Sequence, residues 1–117
     1  MDMDNKYSHY DFYKIASVDE FPQGERLFVE IENQPIVIFS IGSEFVATGD
    51  ICTHDGGSIG EGDQINDEIA CPRHGARFNI KTGKALSFPA VVDIPVYPVR
   101  ITDGFIEVGI QQDEKTS

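Results

Sequence analysis

Both cysteines and two of the three histidines of this 117-residue chain fall inside one short window, from Cys52 to His74. The window opens Cys52-Thr53-His54-Asp55-Gly56-Gly57 and closes Cys71-Pro72-Arg73-His74-Gly75-Ala76. That is a Cys-x-His pair, sixteen intervening residues, and a Cys-x-x-His pair. Each pair offers one soft sulfur and one imidazole nitrogen, a donor set that selects zinc or an iron–sulfur centre over hard cations such as calcium. A disulfide between Cys52 and Cys71 is the competing use of two thiols. Small secreted disulfide scaffolds, however, usually carry four or more cysteines.

Around this window the chain reads as short strands. Tyr10–Ala16 is aromatic-rich, and Asp19–Gly24, which contains Pro22 and Gly24, punctuates it as a loop. Arg26–Glu32 alternates, with Leu27, Val29 and Ile31 on one face and Arg26, Glu30 and Glu32 on the other; Phe28 falls on the polar side. Asn33-Gln34-Pro35 is expected to turn the chain. Ile36-Val37-Ile38-Phe39 is continuously apolar with β-branched bias, the pattern of a strand buried on both faces. Gly42-Ser43 predicts a tight hairpin into Glu44–Thr48. Four glycines among residues 55–62 leave no room for a helix. Short strands are expected at Glu68–Ala70 and Arg77–Ile80, with a turn at Lys81–Lys84. Val91–Ile101 is strand-like, but Pro95 and Pro98 confine it to an edge or to strand ends. Asp103-Gly104 gives a last hairpin into Phe105–Val108, and Gln111–Ser117 is a polar tail. Many short strands with Gly and Pro turns mean an all-β domain of sandwich or barrel type.

The formal net charge of −11 argues against a nucleic-acid role, which needs clustered Lys and Arg. It suits steering toward a basic partner face as well as plain solubility. No apolar run reaches the length of a membrane span. The start, Met1-Asp2-Met3-Asp4-Asn5-Lys6, lacks the basic and apolar regions of a signal peptide, so a cytoplasmic protein with no membrane partner is expected. His9 lies outside the window and reads as a solvated side chain.

On the two ligand loops, Gly75-Ala76-Arg77-Phe78, Thr82-Gly83 and Tyr97-Pro98-Val99, the chain resembles the Rieske [2Fe–2S] proteins. The likeness is to their small soluble ferredoxins, which feed electrons to aromatic-ring dioxygenases. In such centres two His replace two Cys on one iron. The resemblance implies an antiparallel β-sandwich or barrel base carrying an inserted cluster-binding subdomain. One domain would span residues 1–117, with basal strands in about 10–48 and 92–110 and the insertion in about 49–91. It implies that Cys52 and Cys71 ligate the inner iron of one [2Fe–2S] cluster and that His54 and His74 ligate the outer iron.

Family members of high potential carry an extra Cys in each loop, paired in a disulfide, with Ser and Tyr hydroxyls near the cluster. The corresponding positions here are Gly57 and Arg73, and Ala76 and Phe78. Neither Ala76 nor Phe78 can donate a side-chain hydrogen bond to raise the potential. A potential of about −100 to −150 mV is therefore expected, near the low end of the range for such clusters. The resemblance further implies amide approach at Gly56, Gly57 and Gly75, a second loop stiffened by Pro72, and a covering loop at Phe88-Pro89-Ala90. Arg73 and Arg77 read as solvated, or as answering acidic partner residues or the local negative field.

The expected function is one-electron transfer from a flavin-containing reductase to a terminal oxygenase, both docking transiently at the His54/His74 end of a monomer. The chain is too short to add an oxygenase domain with its own iron site, so it is not expected to be a catalyst. Alternatives are a small Rieske subunit of another redox enzyme, of nitrite-reductase or cluster-biosynthesis type, and a structural zinc module.

Overall fold

The computed structural model describes residues 9–21, 25–53, 56–73, 75–88 and 92–111. The sequence expectations at Pro22–Gly24, His54, Asp55, His74, Pro89–Val91 and the tail 112–117 lie outside them. The strands are β1 Tyr10–Ser17, β2 Arg26–Ile31, β3 Gln34–Ile41, β4 Glu44–Gly49, β5 Gln64–Ile65, β6 Glu68–Ala70, β7 Arg77–Asn79, β8 Val96–Tyr97, β9 Val99–Thr102 and β10 Phe105–Gln111. All paired strands are antiparallel, and the one helical element among the described residues is a single 3₁₀ turn at Val18–Glu20. The all-β expectation holds.

Three sheets form, in the orders β1-β10-β9, β2-β3-β4-β8 and β5-β6-β7. The first two each join strands from both ends of the chain. The third is built from residues 64–79 alone. A phenol-to-carboxylate hydrogen bond from Tyr13 of β1 to Glu32 links the first two sheets, and it is the main reason the Tyr13 pKa is raised.

β3 decides where the core lies. Ile36, Val37, Ile38 and Phe39 are all fully buried, as a continuous apolar run predicts. Successive side chains on a strand point to opposite faces. Ile36 and Ile38 join one core with Ile31, Ala47, Ile106, Val108 and Ile110. Val37 and Phe39 join a second core with Ile59, Ile69, Phe78, Ile80, Ile94 and both cysteines. One strand thus walls both cores.

Four details differ from the sequence expectations. The turn after β2 is Glu32-Asn33, both at positive φ (53° and 68°), so Gln34 and Pro35 already belong to β3. Proline is tolerated there because it needs no N–H at the second residue of a strand, and its carbonyl accepts from Asp50 N–H at 2.9 Å. Second, β5 exists, returned into β6 by Asn66-Asp67 with Asn66 at φ 56°. Third, the proline-containing run divides into two short strands, each at a sheet edge with Pro95 and Pro98 at strand ends, as the prolines require. Val96–Tyr97 pairs with β4, and after Pro98 Val99–Thr102 pairs with β10. Fourth, Gln111 ends β10, paired with Tyr10, and does not begin the tail.

Gly62 marks the closest backbone approach beneath the third sheet. A Cβ there would lie 1.8 Å from the Ala70 carbonyl oxygen, and backbone cannot rotate aside as a side chain can. Gly62→Ala is expected to cost about 3 kcal/mol, the upper part of the usual overpacking range. Urea unfolding of the variant should show the midpoint falling at unchanged slope. A wild-type midpoint would mean that the approach is relieved cheaply.

Candidate metal centre

Two residues separate Cys52 from the end of β4, and Cys71 follows β6 directly. Each opens a turn closed in the same way. Cys52 N–H donates to the Gly57 carbonyl at 2.7 Å, and Gly56 N–H returns to the Cys52 carbonyl at 2.7 Å. Cys71 N–H donates to the Ala76 carbonyl at 2.7 Å, and Gly75 N–H returns to the Cys71 carbonyl at 2.9 Å. The fourth loop residue is glycine in both, Gly56 at φ 80° and Gly75 at φ 78°, a left-handed conformation that costs a glycine little. The chain therefore makes one hairpin loop twice. His54 and His74, outside the described residues, are in sequence the second and third of the four residues between the closing pairs.

The two thiols sit at 0% and 2% exposure and share one core with Ala76, Phe78, Ile59 and Ile69. That core contains apolar side chains and sulfur, so metal–sulfur bonds formed there would be shielded from water. The loop tips differ: Gly56, Pro72, Arg73 and Gly75 are exposed. Buried soft sulfur behind, with one imidazole per loop in sequence, is a donor set that fits a mixed-ligand iron–sulfur cluster. Among the described residues no group of three or more His, Cys, Asp or Glu is gathered for a metal.

The stretch between the loops is held by two residues that carry no local sequence signal. The Asp50 carboxylate accepts from Ser58 Oγ at 2.8 Å, from Ile59 N–H at 3.1 Å and from Gly60 N–H at 2.7 Å. Arg26 of β2 donates through Nη1 to the Gly60 carbonyl and, at 2.8 Å, to the Gly62 carbonyl. Gly60 is thus gripped by both its backbone groups. A Cβ on it would lie 2.5 Å from the Phe28 ring. Thr53, the residue after Cys52, donates from Oγ1 to the Val92 carbonyl at 2.5 Å and joins the first loop to the segment leading into β8.

Of the neighbours read from the sequence, Arg77 is not simply solvated. Its Nε and Nη2 donate to Glu68 at 3.0 and 2.7 Å across the β6–β7 pair. Arg73 is exposed, with its guanidinium over Gly57. Phe88 is 83% exposed, whereas Pro89 and Ala90 lie outside the described residues. His9 is exposed.

An all-β body presenting two cysteine-headed, glycine-closed hairpins from one apolar core is a domain made to hold a metal or iron–sulfur centre between loops. Residues 11–98 match the Rieske [2Fe-2S] domain, and the chain belongs to that family. It carries one Rieske-type [2Fe–2S] cluster. Over 91 residues it is 43% identical to the biphenyl dioxygenase ferredoxin subunit of Pseudomonas sp. (strain KKS102), covering 77% of this chain and 84% of that protein. Its fold is similar to that of the Sphingomonas yanoikuyae B1 ferredoxin (TM-score 0.77, 31% identity, 86% of this chain and 99% of that one). A similar likeness holds to a chain in the complex of reduced oxygenase and oxidised ferredoxin in carbazole 1,9a-dioxygenase (TM-score 0.77, 33% identity, 83% and 91% covered).

Asp50→Ala should lower stability by about 2–3 kcal/mol, because it strands the Ile59 and Gly60 amides. Asp50→Asn, which keeps an acceptor oxygen, should cost less. Thermal unfolding followed by visible absorbance and circular dichroism checks the order, and equal effects would deny the carboxylate its anchoring role.

Proposed function

We propose that this protein is the Rieske ferredoxin of an aromatic-ring dioxygenase system. It carries one electron at a time from a flavin-containing reductase to a terminal non-haem iron oxygenase and is not itself a catalyst. The observation that carries this reading is the pair of matching hairpin loops with buried Cys52 and Cys71 at their heads, seated in a chain whose match covers 84% of a biphenyl dioxygenase ferredoxin subunit. Cys52 and Cys71 would hold the inner iron, and His54 and His74 the outer. The cluster supplies a site that takes up and releases one electron. The segment 49–91 is then the cluster-binding insertion of a single domain over residues 1–117.

What the chain's own residues do is bind, shield and present. The thiols are enclosed by Ile59, Ile69, Phe78 and Ile80 on the protein side. Several large apolar side chains of this part of the chain are exposed. Ile51 precedes Cys52, Val92 accepts from Thr53, and Leu86 donates to the Arg77 carbonyl; all three are exposed, as is Phe88. Charge is uneven in the same sense. Residues 49–91 hold six acidic and four basic side chains, a net −2, whereas the rest holds fourteen acidic and five basic, a net −9. A nearly balanced insertion with exposed apolar side chains on an acidic body favours docking by the insertion. Both partners would dock there, on a monomer in the cytoplasm. No helix among the described residues is long and apolar enough to cross a membrane.

Iron and acid-labile sulfide analysis, with an EPR spectrum of the dithionite-reduced protein, tests the assignment. About two iron and two sulfide per chain and the low average g value of a mixed-ligand cluster are expected. One zinc and no signal would return the structural-zinc alternative. His54→Ala and His74→Ala should each abolish the native spectrum, and a variant that kept it would remove that residue from the ligand set. A redox titration should place the potential at about −100 to −150 mV. A value above zero would contradict the argument from Ala76 and Phe78.

A further inference from the structure

We infer that Arg73 is a positioning residue: its guanidinium, packed on Gly57, clasps the two cysteine loops together and holds a cation beside the cluster, easing its reduction. The inference rests on the proposed ligand set. Arg73 belongs to the second loop, two residues after Cys71 and one before His74. Gly57 belongs to the first, and its carbonyl accepts the Cys52 N–H that closes that loop. A methyl group placed on Gly57 would lie 2.5 Å from Arg73 Cζ, 2.6 Å from Nη2 and 2.9 Å from Nε. The guanidinium therefore occupies the space that any side chain at residue 57 would claim. Gly57 does not have the positive φ that reserves a site for glycine, unlike Gly56 beside it. Its missing side chain serves the contact instead. Arginine suits such a contact because a planar group lies against backbone where an ammonium cannot.

The electrical consequence has a definite sign. Reduction adds one electron, so a fixed cation in the surroundings favours the reduced state and raises the potential. Arg73 is exposed, so the effect is screened and must shrink as salt is added. Neither residue is a cysteine, so the contact joins the two loops without a covalent link.

The experiment is a redox titration of the cluster-loaded wild type, Arg73→Gln, Gly57→Ala and the double variant, at low and high ionic strength. Arg73→Gln should make reduction about two- to tenfold less favourable at low salt, where tenfold is about 59 mV for one electron. The difference should narrow at high salt. Gly57→Ala retains the arginine but displaces it, and should shift the potential in the same direction. The double variant should shift no further than the larger single. Additive single effects, or an Arg73→Gln potential equal to wild type at low salt, would overturn the clasp. Arg73→Lys separates shape from charge and should recover only part of the shift; full recovery would deny the packed contact its role. Wild-type EPR and metal content are measured first. Their failure would count against the proposed ligand set, whereas unchanged potentials in a protein with a normal mixed-ligand spectrum would count against the clasp alone.

Discussion

The burial of β3 on both faces is the interaction on which the rest depends. Ile36 and Ile38 close the core between the two larger sheets, and Val37 and Phe39 close the core that receives the cysteines. Burying four such side chains contributes about 1.5–3 kcal/mol each. A polar substitution on either face would therefore be felt on the other, because the strand cannot shift to suit one core without leaving the second. The cysteine loops consequently rest on the best-packed strand of the body. Their position is inherited from it.

The residues that hold the site do so from unlike places. Arg26 reaches from β2, where it alternates with Leu27 on a half-buried strand, to the carbonyls of Gly60 and Gly62. Asp50 reaches forward from the end of β4 to the amides of Ile59 and Gly60. One supplies donors and the other acceptors, so the Ile59 and Gly60 amides and the Gly60 and Gly62 carbonyls find partners without forming a regular element. Such an arrangement explains how a segment with four glycines in eight residues can still deliver two cysteines to one core.

Much of this was legible in the sequence, for identifiable reasons. Apolar runs and alternation report burial directly, so β2, β3 and β10 were readable from residue type. The turns at Gly42-Ser43 and Asp103-Gly104 were readable because glycine and aspartate tolerate the positive φ found at Gly42, Asp103 and Gly104. Glu32-Asn33 was misplaced because glutamate rarely takes a φ near 53°, so residue type pointed to the Asn33-Gln34-Pro35 stretch instead. β5 was missed because two residues give no period to count. Cys52 and Cys71 were legible by spacing and lie where burial suits a ligand. Asp50 and Arg26 were not, because their partners lie eight or more residues away and no local pattern joins them. Arg73 read as solvated because a side chain over a glycine leaves no mark in sequence beyond the glycine itself.

Pro98 has a mechanical consequence. It is the sole residue between β8, which pairs with β4, and β9, which pairs with β10, and its carbonyl accepts from Gly109 N–H at 2.9 Å. The two sheets are thus stitched by a single residue whose φ is fixed by its ring. Sliding one sheet over the other would have to stretch that stitch, and a close-packed interior transmits strain with little give. The body behind the loops is a stiff mount. For an iron–sulfur protein, stiffness means that gaining or losing an electron need not wait for the protein to rearrange.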